Sequence, residues 1–192
     1  MTWVNAVVQG VLLGGLFALF ATGLSLAFGV MRFVNLAHGD LAVLAAFLAV
    51  STTSAFDVNP FVTLLLIVPG FAVGGYVLQR LVFNRAMGAD PLPSILVTFG
   101  LGVVIQNALL EHYSADSRGL DAGEIEVRSA RLTDDISVGW FPLLTLVVAV
   151  VVLAGLQLLF SRTRAGRAFR ATADDAATAR LMGIDDRRVY AR

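Results

Sequence analysis

Long apolar stretches alternate with short polar connections along the chain, and the stretches are long enough to cross a bilayer. The first, Val4 to Met31, has no charged residue in 28 positions. At about 1.5 Å per residue such a helix exceeds the roughly 30 Å of bilayer hydrocarbon. Four further spans are predicted: Leu41 to Phe56, Phe61 to Phe83, Ser94 to Leu110 after Pro93, and Trp140 to Phe160. The pattern predicts an all-α integral membrane protein, a polytopic helical bundle of about five transmembrane helices.

The second predicted span is short, and polar residues precede it. Its 16 residues reach only about 24 Å, and hydroxyl residues at 52–54 weaken its end. Asn35, His38 and Asp40 lie just before it. A discontinuous or tilted helix is expected here, and such helices often border a substrate cavity. The three residues are therefore candidates for a substrate path. Asp40 has a plainer interpretation, as the N-cap of a helix that starts at Leu41, and Asn35 has one as a partner for backbone groups.

Small residues recur every four positions in two of the spans. They form one face of the first helix and part of a face of the third. Such faces let helices approach closely in lipid, and plain helix packing is favoured over a substrate path. The residues are Gly10, Gly14, Ala18 and Thr22 in the first span, and Gly70 and Gly74 in the third.

Composition agrees with a membrane protein and excludes several other classes. The chain is 57% hydrophobic and 15% charged, whereas soluble domains carry about 25% charged residues. Its net charge is zero, so nucleic acid is not an expected partner. Cysteine is absent, and the histidines are His38 and His112 alone, so no metal site is expected. We expect no catalytic residue and no cofactor, and the sequence has no GxxxxGK[ST] loop for nucleotide.

Arginine is distributed unevenly between the longer connections. Residues 161–192 hold eight arginines and four acids, whereas residues 111–139 hold seven acids and three arginines. The positive-inside rule then places the C-terminal segment in the cytoplasm, and five crossings put the N-terminus outside. Within the outer connection, the sequence GEIEVRSARL alternates in part. It is compatible with a small hairpin or with a solvated loop.

The segment 161–192 also has the features of a short docking helix. Asp174 and Asp175 are suited to cap it, residues 176–182 are mostly good helix formers, and Gly183 is suited to end it. We expect a helix from Asp174 to Gly183 that meets a partner in the cytoplasm.

Three stretches carry a resemblance to a known family. FGVMRFVNLAHGDL, SILVTFGLGVVIQN and RTRAGRAFRATADDAATARLMGID occur in this order over nearly the whole chain. Together the chain resembles the LivH-type permease of branched-chain amino-acid ABC transporters. Asp40 stands where that family more often has glutamate, which keeps the charge. Because family members continue with further spans, the resemblance implies one permease domain, 1–192, that is cut short at its C-terminus.

The resemblance implies an ATP-driven importer in the cell membrane. The expected partners are a second homologous permease, two cytoplasmic ATP-binding subunits, an external substrate-binding protein and membrane lipid. ATP would be hydrolysed on the partner subunits. Residues 161–192 would be the cytoplasmic coupling segment, with these candidate contacts: Arg170, Asp174, Asp175, Ala176, Ala177, Gly183 and Ile184.

Other functions are less favoured. A secondary transporter usually keeps an ionisable residue inside the membrane, and none lies in the middle of a predicted span. A non-transporting scaffold fits the small-residue faces but gives the basic helical segment no purpose. Within the family, a permease for urea or amides is the main alternative, since nothing in these residues separates the substrates.

Overall fold

Helices make up nearly all of the regular structure in a computed structural model of the chain. The structure describes residues 2–31, 34–86, 92–114, 119, 129–133 and 136–182. In chain order the helices are α1 (Thr2–Met31), α2 (His38–Phe56), α3 (Pro60–Leu78), a π-helical segment (Gln79–Phe83), α4 (Asn84–Ala86), α5 (Leu92–Tyr113), α6 (Trp140–Arg162), α7 (Arg164–Asp174) and α8 (Ala176–Leu181). Strands β1 (Ser129–Thr133) and β2 (Ile136–Gly139) lie between α5 and α6. Residues Pro60–Ala86 form one continuous helical stretch.

Five of these helices are long and apolar enough to cross a bilayer, which confirms the predicted fold class. The candidate spans are Trp3–Gly29, His38–Phe56, Pro60–Ala86, Leu92–Tyr113 and Trp140–Arg162. Many of their large apolar side chains are exposed, among them Leu65 at 75%, Val104 at 65% and Val151 at 64%. An exposed apolar surface of this extent is typical of helices that face lipid or a partner.

Local chemistry explains why α2 and α3 end and begin where they do. Asp57 follows α2 with φ 49° and ψ 42°, and an Asp in the left-handed region is one of the ordinary ways to stop a helix. Asn59 then accepts a hydrogen bond on Oδ1 from the Phe61 amide at 2.9 Å. Pro60 occupies the first helical position, where its missing N–H removes no helical hydrogen bond. The turn between the two spans is thus specified by three residues within the four positions 57–60.

A hairpin does precede the fifth span, although it lies later in the chain than the alternating segment suggested. β1 and β2 pair antiparallel, with Ser129 opposite Gly139 and Ala130 opposite Val138. The hairpin therefore overlaps only the end of GEIEVRSARL, and residues 123–128 lie outside the described residues. β2 leads directly into α6 at Trp140. The strand thus fixes where the fifth span starts.

One compact unit comprises residues 27–120 and 168–192, and its spans are α2, α3 and α5. Its buried apolar cluster is Ile105, Leu109 and Tyr113 on α5, with Leu41, Leu44, Phe47 and Leu101 packed against it. The second span was expected to be discontinuous or tilted. Within 38–56 the helix is unbroken, so the prediction of a discontinuous helix is wrong, whereas the tilt stays a prediction. The helix starts three residues earlier than predicted, and its 19 residues rise about 28 Å.

The second compact unit comprises residues 1–26 and 121–167. Here Gly15 of α1 contacts α6, since a Cβ added at Gly15 would lie 2.9 Å from Cα of Leu146. Leu12, on the same side of α1, is also buried. The predicted packing face through Gly10 and Gly14 is instead open, with nothing within 4 Å of an added Cβ at either position. The neighbouring glycine makes the close approach.

Candidate functional site

The polar segment before α2 forms a compact turn that starts the helix. Oδ1 of Asn35 accepts a hydrogen bond from the Ala37 amide at 3.1 Å, and its backbone carbonyl accepts one from the His38 amide at 3.2 Å. Ala37 is fully buried, with 0% exposure. The interpretation of Asn35 as a partner for backbone groups is confirmed. His38 is the first residue of α2.

The prediction that Asp40 caps a helix starting at Leu41 is wrong. The N-cap position of α2 is Ala37, which makes no side-chain capping hydrogen bond. Asp40 lies inside the first helical turn, where a negative charge is favourable because of the helix dipole. Its side chain therefore does not cap α2, and it can contact another helix.

Asp40 contacts α5 with both carboxylate oxygens. Oδ1 accepts a hydrogen bond from Nε2 of Gln106 at 2.8 Å. Oδ2 lies against Gly102, where an added Cβ would be 2.5 Å from it. Gly102 and Gln106 are four residues apart and so lie on the same face of α5. The absence of a side chain at Gly102 makes room for the carboxylate, and Gln106 holds it.

Asp40 lies in the first turn of α2, but it faces the middle of α5. Gly102 is the eleventh of the 22 residues of α5, and this helix rises about 33 Å, close to the thickness of bilayer hydrocarbon. The start of α2 thus lies beside the middle of a membrane span. A carboxylate that sits at the start of its own helix therefore lies beside the midpoint of the neighbouring helix.

Sequence reasoning missed Gly102 and Gln106. Both lie inside the stretch SILVTFGLGVVIQN, whose resemblance to the family does not assign a role to either residue. The available signal was a glycine and an amide at a spacing of four in the middle of an apolar span. That signal becomes informative only when a charged residue on another helix is known to face it.

The buried stripe of α5 changes from small and polar residues to larger apolar ones after Gly102. Its members recur at helical spacing: Ser94, Thr98, Gly102, Ile105, Leu109 and Tyr113. The first half is small and polar, with Thr98 at 0% exposure and its Oγ1 bonded to the Ser94 carbonyl at 3.1 Å. The second half is the apolar cluster that packs on α2. α2 covers the apolar half, and its polar first turn lies where the stripe becomes polar.

The far end of α2 is attached to its neighbours by hydroxyl groups. The hydroxyls of Ser51 and Tyr113 are 2.7 Å apart, and those of Thr53 and Thr63 are 3.0 Å apart. The ring of Tyr113 also packs on Phe47, with centroids 4.8 Å apart. Thr53, one of the hydroxyl residues that weaken the hydropathy of this span, therefore joins two helices, as does the preceding Ser51, a common use of polar groups in lipid.

A tight turn connects the fifth span to the arginine-rich segment. Oγ1 of Thr163 accepts a hydrogen bond from the Gly166 amide at 3.0 Å, which caps α7. An added Cβ at Gly166 would lie 2.5 Å from both the Leu159 carbonyl oxygen and Cα of Phe160. Only glycine fits there without movement of the backbone. We call residues 163–166 the elbow.

A helix occupies part of the predicted range Asp174 to Gly183, and its docking role stays a prediction. α8 runs over Ala176–Leu181 and so includes Ala176 and Ala177. Asp175 caps it, with Oδ1 accepting from the Thr178 amide at 3.2 Å. Asp174 instead ends α7, which also carries the exposed Arg170. Gly183 and Ile184 lie outside the described residues. The segment thus holds two helices rather than one.

Five apolar spans and a helical basic segment define the chain as a multi-pass helical membrane protein. Comparison with known proteins identifies the family. Residues 6–191 match the model described as "Branched-chain amino acid transport system / permease component", and the chain belongs to this family. This confirms the resemblance drawn from the sequence.

Individual relatives are similar over most of the chain. The high-affinity branched-chain amino acid transport system permease protein BraD of Pseudomonas aeruginosa is 25% identical over 98% of this chain and 65% of its own length. The corresponding protein LivH of Escherichia coli is 25% identical over 95% of this chain and 63% of its own. A probable LivH of Methanocaldococcus jannaschii is 25% identical over 91% and 56%. The chain thus spans less than two thirds of the relatives' length. No solved structure matches.

Proposed function

We propose that this chain acts as a permease subunit of an ATP-driven importer for branched-chain amino acids. The family match over residues 6–191, on a chain with five apolar spans, carries the proposal. Its similar relatives are named as permease proteins of branched-chain amino acid transport systems. The chain would form one permease domain in the cell membrane and line part of the translocation path.

The proposed assembly contains further proteins. A second homologous permease would complete the path, two cytoplasmic ATP-binding subunits would drive it, and an external binding protein would deliver the amino acid. α7 and α8 are suited to meet the ATP-binding subunits. α8 is capped by Asp175 and ends in two strongly exposed apolar residues, Leu181 at 87% and Met182 at 79%. An exposed apolar end on a short, capped helix favours insertion into a partner's groove.

The elbow favours mechanical coupling between α6 and the basic segment. Because Gly166 packs against the backbone of Leu159 and Phe160, the start of α7 is fixed relative to the end of the span. Movement of α7 by a closing ATPase would therefore be transmitted to the end of α6. Candidate coupling residues are those of the segment itself: Arg170, Asp174, Asp175, Ala176, Ala177, Gly183 and Ile184.

We place the substrate path at the start of α2. Asn35, His38 and Asp40 are the candidates, and the proximity of Asp40 to the middle of α5 supports them. An ionisable group at mid-depth is by default a functional candidate. This position also removes one argument against an ion-coupled secondary transporter, so the choice between the two mechanisms rests on family membership.

The proposed orientation has the N-terminus outside and residues 161–192 in the cytoplasm. It rests on the arginine excess of that segment over residues 111–139. The chain has no cysteine, so single cysteines report cleanly. Ser117→Cys should react with a membrane-impermeant thiol reagent added outside, and Thr178→Cys should not. External labelling at position 178 would reverse the assignment.

Uptake in cells tests the function. Deleting the gene should abolish high-affinity uptake of labelled leucine, isoleucine and valine, and the loss should be reproduced by deleting the ATP-binding partners. Uptake should survive a protonophore as long as ATP is maintained. Uptake that persists without the ATPases and collapses with the proton gradient would instead establish a secondary transporter. Loss of urea or amide uptake, with leucine uptake intact, would establish the alternative substrate class.

A further inference from the structure

Asp40 places a carboxylate beside the midpoint of α5. Its Oδ2 faces Gly102, the eleventh of 22 residues in α5, and its Oδ1 accepts from Gln106. A carboxylate at the middle of a span faces protein or a water-filled cavity and is normally paired. The side chain is only partly buried, so one side of it remains accessible.

Among the described residues, the contacts of this carboxylate do not include a positive charge. Within the described ranges its hydrogen-bonding partner is the Gln106 amide, a neutral donor, and no basic side chain of those ranges forms an ion pair with it. An ionised carboxylate accepts at about four lone-pair sites, and Gln106 occupies one. Gly102 adds no side chain that would cover Oδ2. The group is therefore held in place by neighbours that do not neutralise it.

We propose that Asp40 receives the ammonium group of a zwitterionic amino acid as it passes the middle of the membrane, and that Gly102 and Gln106 are positioning residues for Asp40. The inference rests on the importer function proposed above and names the part of the substrate that is recognised. An ammonium group supplies three donors and the missing positive charge. Hydrogen bonds between two ionised partners are shorter and about twice as strong as neutral ones.

This recognition makes a definite prediction about substrates. A neutral solute such as urea gains little from an ionised carboxylate, and a carboxylic acid without an amino group is repelled by it. A leucine molecule presents an ammonium group to Asp40 and satisfies the carboxylate at mid-depth. Asp40 would thus select for amino acids on the path, in addition to any selection by the binding protein.

The experiment compares four forms of the complete transporter in proteoliposomes, with its permease partner, ATP-binding subunits and leucine-loaded binding protein. They are the unmodified protein, Asp40→Asn, Asp40→Glu and Asp57→Asn. Asparagine keeps the size of Asp40 and an acceptor for Gln106 but removes the charge. Asp57→Asn makes the same chemical change at the exposed C-terminal end of α2, where the left-handed conformation suits asparagine.

We expect Asp40→Asn to lower the maximal rate of leucine uptake by about tenfold or more, the effect of losing one hydrogen bond to a charged group. ATP hydrolysis stimulated by the loaded binding protein should remain, since the coupling segment is untouched. Asp40→Glu should retain most of the uptake, and Asp57→Asn should equal the unmodified protein. A structural role would give the opposite pattern, with asparagine tolerated and the longer glutamate harmful.

Other outcomes overturn the inference or the function separately. Normal leucine uptake by Asp40→Asn would overturn the role of Asp40 and leave the importer function intact. A sodium requirement that Asp40→Asn abolishes would assign the carboxylate to a coupling ion instead. Absence of ATP-dependent leucine uptake by the unmodified, fully assembled transporter would overturn the proposed function itself.

Discussion

Gly15 in α1 and Gly102 in α5 both lie where a side chain has no room, but each meets something different. A Cβ added at Gly15 would lie 2.9 Å from the backbone Cα of Leu146, whereas one added at Gly102 would lie 2.5 Å from the Oδ2 atom of Asp40. A backbone atom can move only with its helix, whereas a carboxylate can rotate away. The first glycine therefore serves helix packing, and the second serves the placement of a functional group.

The difference shows two ways to hold helices together in lipid. Apolar association gains little there, so close van der Waals contact or interhelical hydrogen bonds must supply the stability. The contact of α1 with α6 uses the first, through Gly15. The contact of α2 with α5 adds the second, through Gln106 with Asp40 and Ser51 with Tyr113. Only the hydrogen-bonded contact of α2 with α5 places polar atoms between helices, where a solute can contact them.

The largest effect should come from overfilling the α1–α6 contact. Gly15→Val should destabilise the protein by about 3 kcal/mol, the upper part of the range for overpacked cores, because the new side chain meets the Leu146 backbone. Thermal unfolding of the purified protein in detergent measures it. Gly14→Val is the matched control, since an added Cβ there meets nothing within 4 Å. Equal unfolding temperatures for the two variants would refute the contact.

A second backbone contact should behave like that of Gly15. Gly166→Ala should cost about 2 kcal/mol, since its Cβ would lie 2.5 Å from backbone atoms of Leu159 and Phe160. We also expect weaker coupling of ATP hydrolysis to uptake, because the elbow must open. Gly155→Ala in α6 has free space around its Cβ and should be neutral or slightly stabilising. Unchanged unfolding and coupling in Gly166→Ala would show that the elbow is not rigid.

Gly102→Ala should separate function from stability. The methyl group displaces the Asp40 carboxylate, so we expect about a tenfold loss of leucine uptake, comparable to losing one charge-assisted hydrogen bond. The unfolding temperature should change little, because alanine is the better helix former and the displaced atoms end a flexible side chain. Gly100→Ala, with open space around its Cβ, is the control. A large loss of stability in Gly102→Ala would place this glycine in the same class as Gly15.

The smallest effect is expected for the hydroxyl pair at the far end of α2. A double-mutant cycle of Ser51→Ala and Tyr113→Phe should give a coupling free energy of about 0.6 kcal/mol, the average for such bonds in membrane helices. Replacing Ser51→Ala by Thr52→Ala in the cycle should give a coupling near zero, since Thr52 bonds to the Leu48 carbonyl in its own helix. Equal coupling energies in the two cycles would exclude a specific Ser51–Tyr113 bond.

The sequence alone determined the five spans and the family. Each span is a property of 16 or more neighbouring residues, because transfer of a helix into lipid depends on its summed hydrophobicity and length. The end of α2 and the start of α3 were likewise within reach, since Asp57, Asn59 and Pro60 lie within four consecutive residues of the chain. The stretches around Asn35, Ser94 and Asp174 sufficed for the resemblance, and residues 6–191 match the family.

Only the tertiary structure decided what Asp40 contacts. From the sequence it lay outside a span and was interpreted as a cap, because its depth was measured along its own helix. Its partner Gln106 is 66 positions away, and the pairing depends on how α2 packs against α5. The same holds for Gly15, which contacts Leu146 while Gly14 next to it does not. Hydropathy and local propensity sum over neighbours in the chain, whereas these contacts depend on the relative position of two helices.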